Sequence, residues 1–133
     1  MILPQKEVEV ILTRQLASYL AVPVFLVDPA GNLVYYNEPA EQLLGQRFEE
    51  TGEMGVEAWA TMFDPTDAAG DPIPPDSLPL VVALRERKPV HRDMWIRDHN
   101  GLRRRLEVTA LPIVGQAGRF LGGIALFWEA NGP

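Results

Sequence analysis

Two histidines and scattered acidic residues are what this 133-residue chain offers for chemistry. It contains no cysteine, which excludes disulfides, thiolate nucleophiles and cysteine metal ligands. His91 and His99 are not accompanied by a Ser-His-Asp, metal-ligand or phosphate-loop pattern. Because no general base or nucleophile stands out, the sequence predicts no catalytic residues, no metal site and no enzyme activity.

The charged clusters indicate solvated or paired side chains. Asp64, Asp67 and Asp71 resemble the start of a calcium loop, but the glycine and the terminal glutamate that such a loop requires are missing. The three arginines at 103–105 alternate between the faces of a predicted strand, so at least one points to the concave side or a rim. Pairing with acidic residues of neighbouring strands is expected there, in preference to an anion site.

Composition limits the classes of partner. Twelve basic and 18 acidic residues give a formal net charge of −6, without the clustered positive charge that attracts nucleic acid and anionic membranes. Hydrophobic residues make up 47% of the chain, enough for the core of one domain. No apolar run approaches the roughly 20 residues that span a bilayer, and we find no signal peptide. We therefore expect a cytoplasmic protein with no nucleic-acid or membrane partner.

The first 20 residues are typical of an amphipathic helix over residues 4–20. Pro4 suits its first turn, and Pro23 ends it. Apolar residues at spacings of three and four form one stripe, which consists of Val8, Ile11, Leu12, Leu16, Tyr19 and Leu20. Such a stripe must be covered, either by the sheet of the same chain or by a partner's helix and sheet.

The remaining elements alternate between strands and helices. Asn37 is the predicted cap of a short helix that ends at Gly45, and Asp76 is the predicted cap of a longer helix that closes at Lys88 and Pro89. Short helical turns are expected at 56–62, within an irregular segment at 45–75. The predicted strands cover 24–27, 33–36, 90–97, 103–113 and 120–128. This order predicts an α+β fold, with an antiparallel sheet and helices gathered on one face.

Three segments, in this order and spacing, resemble the PAS domain family from about Ala21 to Trp128. VFLVDPAGNLVYYNEPAEQLLG resembles the opening hairpin and short helix. GDPIPPDSLPLVVALRERKPV resembles the proline-rich entry and long helix of bacterial PAS sensors. WIRDHNGLRRRLEVTALPIVGQAGRFLGGIALFW resembles the last three strands. The resemblance implies a PAS fold, in which a five-stranded sheet cradles a pocket, and a role in signal transduction.

The resemblance also implies where a ligand would lie, namely between the concave face of the sheet and the helical segment from Trp59 to Leu84. The candidate pocket residues are Tyr36, Asn37, Trp59, Phe63, Leu80, Leu84, Trp95, Leu106 and Val108. The large side chains among them could instead fill the interior. Two hypotheses therefore stay open: a sensory domain that binds a small molecule or a partner, and a ligand-free interaction or dimerisation module with a packed core.

Cofactors of the family are disfavoured by the residues present. Light-sensing members need a cysteine beside a flavin or a cysteine-linked chromophore, and this chain has none. Haem-binding members commonly use a histidine of the long helix, and residues 76–88 contain none. His91 is the one remaining candidate for a haem ligand, and a solvated or hydrogen-bonded side chain is expected there instead. Trp59, Phe63 and Trp95 could help to line a flavin slot, but core packing is the commoner fate of such rings. No cofactor is predicted, and a small apolar ligand of unknown identity remains a candidate.

The resemblance also implies a partner. In the PAS family an N-terminal helix often packs on the outer face of the sheet and pairs with the same helix of a second copy. We expect a homodimer with a candidate interface of Val8, Ile11, Leu12, Leu16 and Tyr19. The expected divisions are a dimerisation helix at 1–20, the PAS domain at 21–129 and a tail at 130–133. The family's Asp-apolar-Thr exit motif is matched only by Glu129, Ala130 and Asn131. A separate effector, such as a kinase or a transcription regulator, or a longer parent protein is expected to receive the signal.

Overall fold

A five-stranded antiparallel sheet organises the chain in the computed structural model, which describes residues 8–129. Its strands are β1 (Val24–Val27), β2 (Leu33–Tyr36), β3 (Val90–Arg97), β4 (Arg103–Val114) and β5 (Phe120–Glu129). The spatial order is β2-β1-β5-β4-β3, so the last strand lies at the centre and β2 and β3 form the two edges. The predicted strands are confirmed, and β4 and β5 each run one residue further than expected.

Five α-helices accompany the sheet within the described residues. They are α1 (Val8–Tyr19), α2 (Glu38–Leu44), α3 (Phe48–Thr51), α4 (Val56–Trp59) and α5 (Pro79–Glu86). Helix α5 packs against β3, β4 and β5 on the concave face. Helix α1 lies on the opposite, outer face. The α+β class, the antiparallel sheet and the N-terminal amphipathic helix are thus confirmed; Pro4 and the predicted first turn lie outside the described residues.

The start of the long helix differs from the prediction, and one short helix was not predicted. Asp76 does not cap the long helix but belongs to a 3₁₀ turn at Pro75–Ser77, and Leu78 is the N-cap. The reason is Pro79, because the residue before a proline is held in extended backbone and Leu78 is extended at ψ 142°. Helix α3 was not predicted. The backbone N–H of Arg47 donates to the Glu50 carboxylate over 3.1 Å at its start.

The register of the sheet separates two faces, since directly opposed residues of antiparallel strands share a face. On β4, Leu106, Val108 and Ala110 are buried on the concave face, as the alternation predicted. Arg105 and Glu107 point to the outer face and are exposed. Across the described residues, no helix is both long enough and apolar enough to cross a membrane.

Candidate functional site

The interior between sheet and helices is filled by aromatic rings around Phe25. Four rings surround it at centroid distances between 5.1 and 6.2 Å, and they belong to Tyr36, Trp59, Phe63 and Phe127. Three of these contacts are edge-on, the arrangement that aromatic pairs prefer. The candidate pocket residues among them therefore pack against each other.

Polar groups at the rim of this cluster are bonded within the fold. The indole N–H of Trp59 donates to the carbonyl of Gly31 over 2.8 Å. The hydroxyl of Tyr36 lies 3.0 Å from the carbonyl of Gln46 and 3.1 Å from the hydroxyl of Thr51. The two voids beside Phe25 measure about 10 Å³ each, which is about the smallest volume that holds a single water. In the part of the chain that the structure describes, these two voids are too small for a ligand in this conformation.

Most of the candidate pocket residues converge on this interior, with three exceptions. Leu80, Leu106 and Val108 join the aromatic cluster as buried core residues. Leu84 is half-buried at its margin. Asn37 is buried but is committed to backbone hydrogen bonds, and Trp95 lies on the outer face, so neither lines the interior.

The prediction that Trp95 lines the pocket is wrong, because successive side chains of β3 point to opposite faces of the sheet. Its neighbours on β3, Met94 and Ile96, are the buried side chains of the concave face. Trp95 instead stands between Arg103 and Arg105, with its ring centroid 5.5 and 5.6 Å from the two guanidinium carbons. Its ring therefore packs with cations on the outer surface.

Core residues that the sequence analysis did not single out include Phe25, Met94 and Phe127. Each is nearly inaccessible, and Phe25 forms the centre of the ring cluster. Their position in the strand alternation could have identified them, since Phe25 is opposed to Tyr36 and Phe127 to Val108. Phe25, Met94 and Phe127, and not Trp95, lie with the predicted pocket residues on the concave face.

Helix α1 turns its apolar stripe to the solvent. The five predicted interface residues are between 48% and 81% exposed, and they are Val8, Ile11, Leu12, Leu16 and Tyr19. The side that meets the sheet carries Glu9, Val10, Thr13, Arg14 and the fully buried Ala17. The helix therefore covers the sheet with its smaller and more polar side, and no described residue covers the stripe.

Three contacts hold α1 in this orientation. The guanidinium of Arg14 lies over the ring of Tyr35 at 4.6 Å. The Glu9 carboxylate accepts from the backbone N–H of Gln116 over 3.2 Å. The side-chain amide of Asn37 donates to the carbonyl of Ala17 over 2.9 Å. Polar anchoring, not burial of the large apolar side chains, fixes which side of α1 faces outward.

Asn37 uses all of its hydrogen-bonding capacity inside the protein. Its carbonyl oxygen accepts from the backbone N–H groups of Val24 and Ala40, at 3.0 and 3.2 Å. Its amide donates to the carbonyls of Ala17 and Val22, each at 2.9 Å. One buried residue thus caps α2, as predicted, and also ties α1 and β1 together.

Comparison with known proteins identifies the family. The sequence model of the PAS domain matches residues 12–100, more than half of the chain. This chain belongs to the PAS domain family. No curated protein matches it.

Solved PAS structures share the fold at low sequence identity. The PAS domain of Bordetella pertussis BvgS is 16% identical, with a TM-score of 0.65 and coverage of 93% of this chain and 87% of that one. The PAS domain of nitrogen regulation protein NR(II) from Vibrio parahaemolyticus is 20% identical, with a TM-score of 0.59 and coverage of 89% and 97%. A fungal LOV-domain photoreceptor is 21% identical, with a TM-score of 0.58 and coverage of 81% and 74%.

A charged cluster joins the β3–β4 turn of this PAS domain to the end of β5. The buried Asp98 carboxylate accepts from Arg104 over 2.8 Å, and Arg104 also pairs with Glu129. Arg104 lines an open groove of about 280 Å³ beside Leu43 and Phe127. Its charge is already matched by two carboxylates, which makes this groove a poor site for an anion.

The other two arginines pair on the outer face. Arg105 binds Asp93 of β3 at 2.6 Å, which confirms the expected cross-strand pairing. Arg103 donates to the carbonyl of Asp67 over 3.1 Å. His91 lies 2.8 Å from the hydroxyl of Thr109. Among residues 8–129, no group of acidic and histidine side chains is placed to hold a metal ion.

Stability at acid pH should depend on Asp98. Burial raises the pKa of its carboxyl, but hydrogen bonds from the backbone N–H groups of Leu102 and Asn100 and from Arg104 outweigh burial and hold the pKa below 3.8. A lowered folded pKa adds stability that is fully present above about pH 4 and is lost as the pH falls through the folded value. Urea unfolding from pH 7 to pH 2.5 should show this loss. The loss should shrink in Asp98→Asn and persist in Asp76→Asn, and an equal loss in all three proteins would contradict this role.

Proposed function

We propose that this PAS domain is a regulatory module of signal transduction that acts through protein contacts, as a homodimer joined by α1. Membership of the PAS family supports the sensory and signalling class. PAS domains of a nitrogen regulation protein and of a photoreceptor share its fold. The outward apolar stripe of α1 is the observation that carries the proposal of a dimer.

A second copy is the occupant that best fits the stripe. Along the exposed side of α1 the residues are Val8, Ile11, Leu12, Gln15, Leu16 and Tyr19, without a charge. Two chains of net charge −6 repel each other in general, but this side adds no like charge to the contact. Burying one leucine or isoleucine contributes about 1.5–3 kcal/mol. Three such side chains from each copy, together with Val8 and Tyr19, can supply the core of a dimer interface.

The outer face of the sheet carries further apolar side chains beside the stripe of α1. Trp128 is exposed there, and Leu111, Ile113, Ile124 and Leu126 are only partly buried. A helix of the second copy that crossed these strands would cover both apolar areas at once. Contact of this kind would link the position of α1 to β5, whose last residue Glu129 is held by Arg104.

The filled interior favours the hypothesis of a ligand-free interaction module over that of a small-molecule sensor. Voids of about 10 Å³ leave no room for a ligand without rearrangement of the aromatic cluster. The proposed module therefore binds no resident cofactor, performs no catalysis and passes its signal to a separate effector such as a kinase or a transcription regulator. A cytoplasmic location fits such a partner. Native mass spectrometry of the purified protein should show whole multiples of the polypeptide mass with nothing added, and a stoichiometric adduct would overturn the ligand-free part.

Charge introduced into the stripe should split the dimer. The double variant Ile11→Asp, Leu16→Asp places two carboxylates in an apolar contact, which should weaken association at least ~100-fold. Analytical ultracentrifugation should find a dimer for the unmodified protein at about 100 µM and a monomer for the variant. Leu102→Asp is the matched control, because Leu102 is 60% exposed on the β3–β4 turn, away from α1. If the unmodified protein is itself a monomer at this concentration, the dimer is wrong.

A further inference from the structure

The outer edge of β3 is half covered and half open. Thr66 pairs with Trp95 like a one-residue strand: its N–H donates to the Trp95 carbonyl over 2.8 Å, and its carbonyl accepts from the Trp95 N–H over 3.0 Å. The N–H of Arg97 donates to the carbonyl of Phe63 over 2.9 Å. The chain at 63–66 thus satisfies the edge from Trp95 onward and leaves the first half of the strand exposed.

Strand geometry shows which groups remain open. The backbone groups of Trp95 point away from β4, so those of His91 and Asp93 point the same way, because the direction alternates along a strand. Val90, Arg92 and Met94 point their backbone groups to β4. Within residues 8–129, no hydrogen bond is made by the main-chain N–H and C=O groups of His91 and Asp93. Four main-chain groups are therefore free in the pattern that an added antiparallel strand would satisfy.

A groove of about 300 Å³ runs beside this open edge. Its walls include Ile73, Pro74 and Pro79 on one side and Arg92 and Met94 of β3 on the other, and its polar lining residues are Asp67, Ser77 and Asp93. The apolar wall suits the side of a strand that faces the helices. Arg92 is exposed and makes no ion pair with any described residue, whereas Asp93 is paired with Arg105. Arg92 is therefore the cation of the groove that is available to a ligand.

We propose that an extended segment of a partner protein adds to β3 at His91–Asp93 and places an acidic side chain on Arg92. The four free backbone groups supply the hydrogen bonds of a strand addition. The groove accepts side chains on the Arg92 side, and charge complementarity selects glutamate or aspartate opposite it. This surface lies at the sheet edge opposite β2, so the partner segment and the α1 dimer can be bound together.

A second copy of β3 fits this edge poorly. Antiparallel pairing centred on Arg92 would set Arg92 directly against its twin, and like charges directly opposite destabilise a sheet. Pairing centred on His91 would set Pro89 opposite Asp93, and a proline has no N–H to donate. A partner strand with an acid at the central position avoids both defects.

A synthetic peptide tests the edge directly. The probe is the acetylated, amidated pentapeptide threonine-valine-glutamate-valine-threonine, compared with the same peptide carrying lysine at its centre. Titration into ¹⁵N-labelled protein should shift the amide signals of His91 and Asp93, with a dissociation constant in about the high-micromolar to millimolar range. The glutamate peptide should bind at least ~5-fold more tightly than the lysine peptide, and Arg92→Glu should invert that preference.

Removal of one edge donor gives the control. His91→Pro deletes a single outward N–H, a change that an edge strand tolerates, whereas His91→Ala keeps the N–H and loses the same side chain. Binding should weaken about 10-fold in the proline variant relative to the alanine variant. Equal binding by the two variants, no shift at His91 and Asp93 at millimolar peptide, or shifts confined to α1 would overturn the proposal. Concentration-dependent shifts at β3 in the Ile11→Asp, Leu16→Asp protein would overturn it in favour of self-pairing.

Discussion

Gly122→Ala should destabilise the domain more than any other single methyl group added to the sheet. Gly122 has φ +125°, a conformation that side chains rarely adopt. A Cβ atom there would lie 2.1 Å from the carbonyl oxygen of Val27 and 3.1 Å from the Cα of Asp28. Both neighbours are backbone and cannot rotate away, so β1 must separate from β5. We expect a loss of at least about 3 kcal/mol in the free energy of unfolding.

Thermal unfolding measures this effect, with Gly118→Ala as the control. Gly118 also has positive φ, at +72°, but nothing lies within 4 Å of the added carbon. Its alanine variant should lose only about 1 kcal/mol, because strain remains and the clash does not. For a chain of this size, Gly122→Ala should lower Tm by roughly 10 °C or more. Equal shifts for the two variants would mean that backbone strain, and not the contact with Val27, constrains this position.

Asn37→Ala should cost about 3 kcal/mol in the free energy of unfolding. The change removes a helix cap, leaves the Val22 carbonyl and the Val24 N–H without their buried partner, and leaves the Ala17 carbonyl with the N–H of Leu20 alone. Asn37→Asp should be similarly damaging, although it keeps the oxygen that accepts from Val24 and Ala40, because its second carboxylate oxygen replaces the donating amide and faces the carbonyls of Ala17 and Val22. Chemical denaturation measures the loss.

The control for this position is Asn32→Ala. Asn32 is half-buried, and its side chain makes one hydrogen bond over 3.1 Å to Asp28, in the same turn. Its loss should cost under about 1 kcal/mol. Hydrogen exchange separates the roles of Asn37: the amides of α1 should lose protection in Asn37→Ala and keep it in Asn32→Ala. Unchanged exchange in α1 would show that Arg14 and Glu9 suffice to hold the helix.

These two positions support the proposed dimer in different ways. Gly122 lets the central strand β5 approach β1, which builds the outer face on which α1 lies. Asn37 ties that helix to the turn before β1 and to α2. A variant that loosens α1 should therefore lose dimer affinity as well as stability, whereas Ile11→Asp, Leu16→Asp should lose affinity and keep the fold of the sheet.

The sequence by itself determined the strands, the helices other than α3 and their order, because local chemistry decides them. The hairpin from Val24 to Tyr36, the cap at Asn37 and the ending at Gly45 follow from short-range backbone preferences. Alternation along β4 likewise predicted which side chains are buried. The predicted helix start at Asp76 was wrong because two local signals competed there. The capping preference of Asp76 was outweighed by Pro79, which holds Leu78 in extended backbone.

The tertiary structure alone decided what the surfaces and the interior present. Periodicity shows that α1 has an apolar stripe, but only the anchors at Glu9, Arg14 and Asn37 turn that stripe outward. Composition supplies large rings, but whether they line a cavity or fill it depends on their meeting around Phe25. The open edge of β3 is likewise set by how far the chain at 63–66 covers it. Each of these outcomes rests on contacts between residues distant in sequence, which no local pattern records.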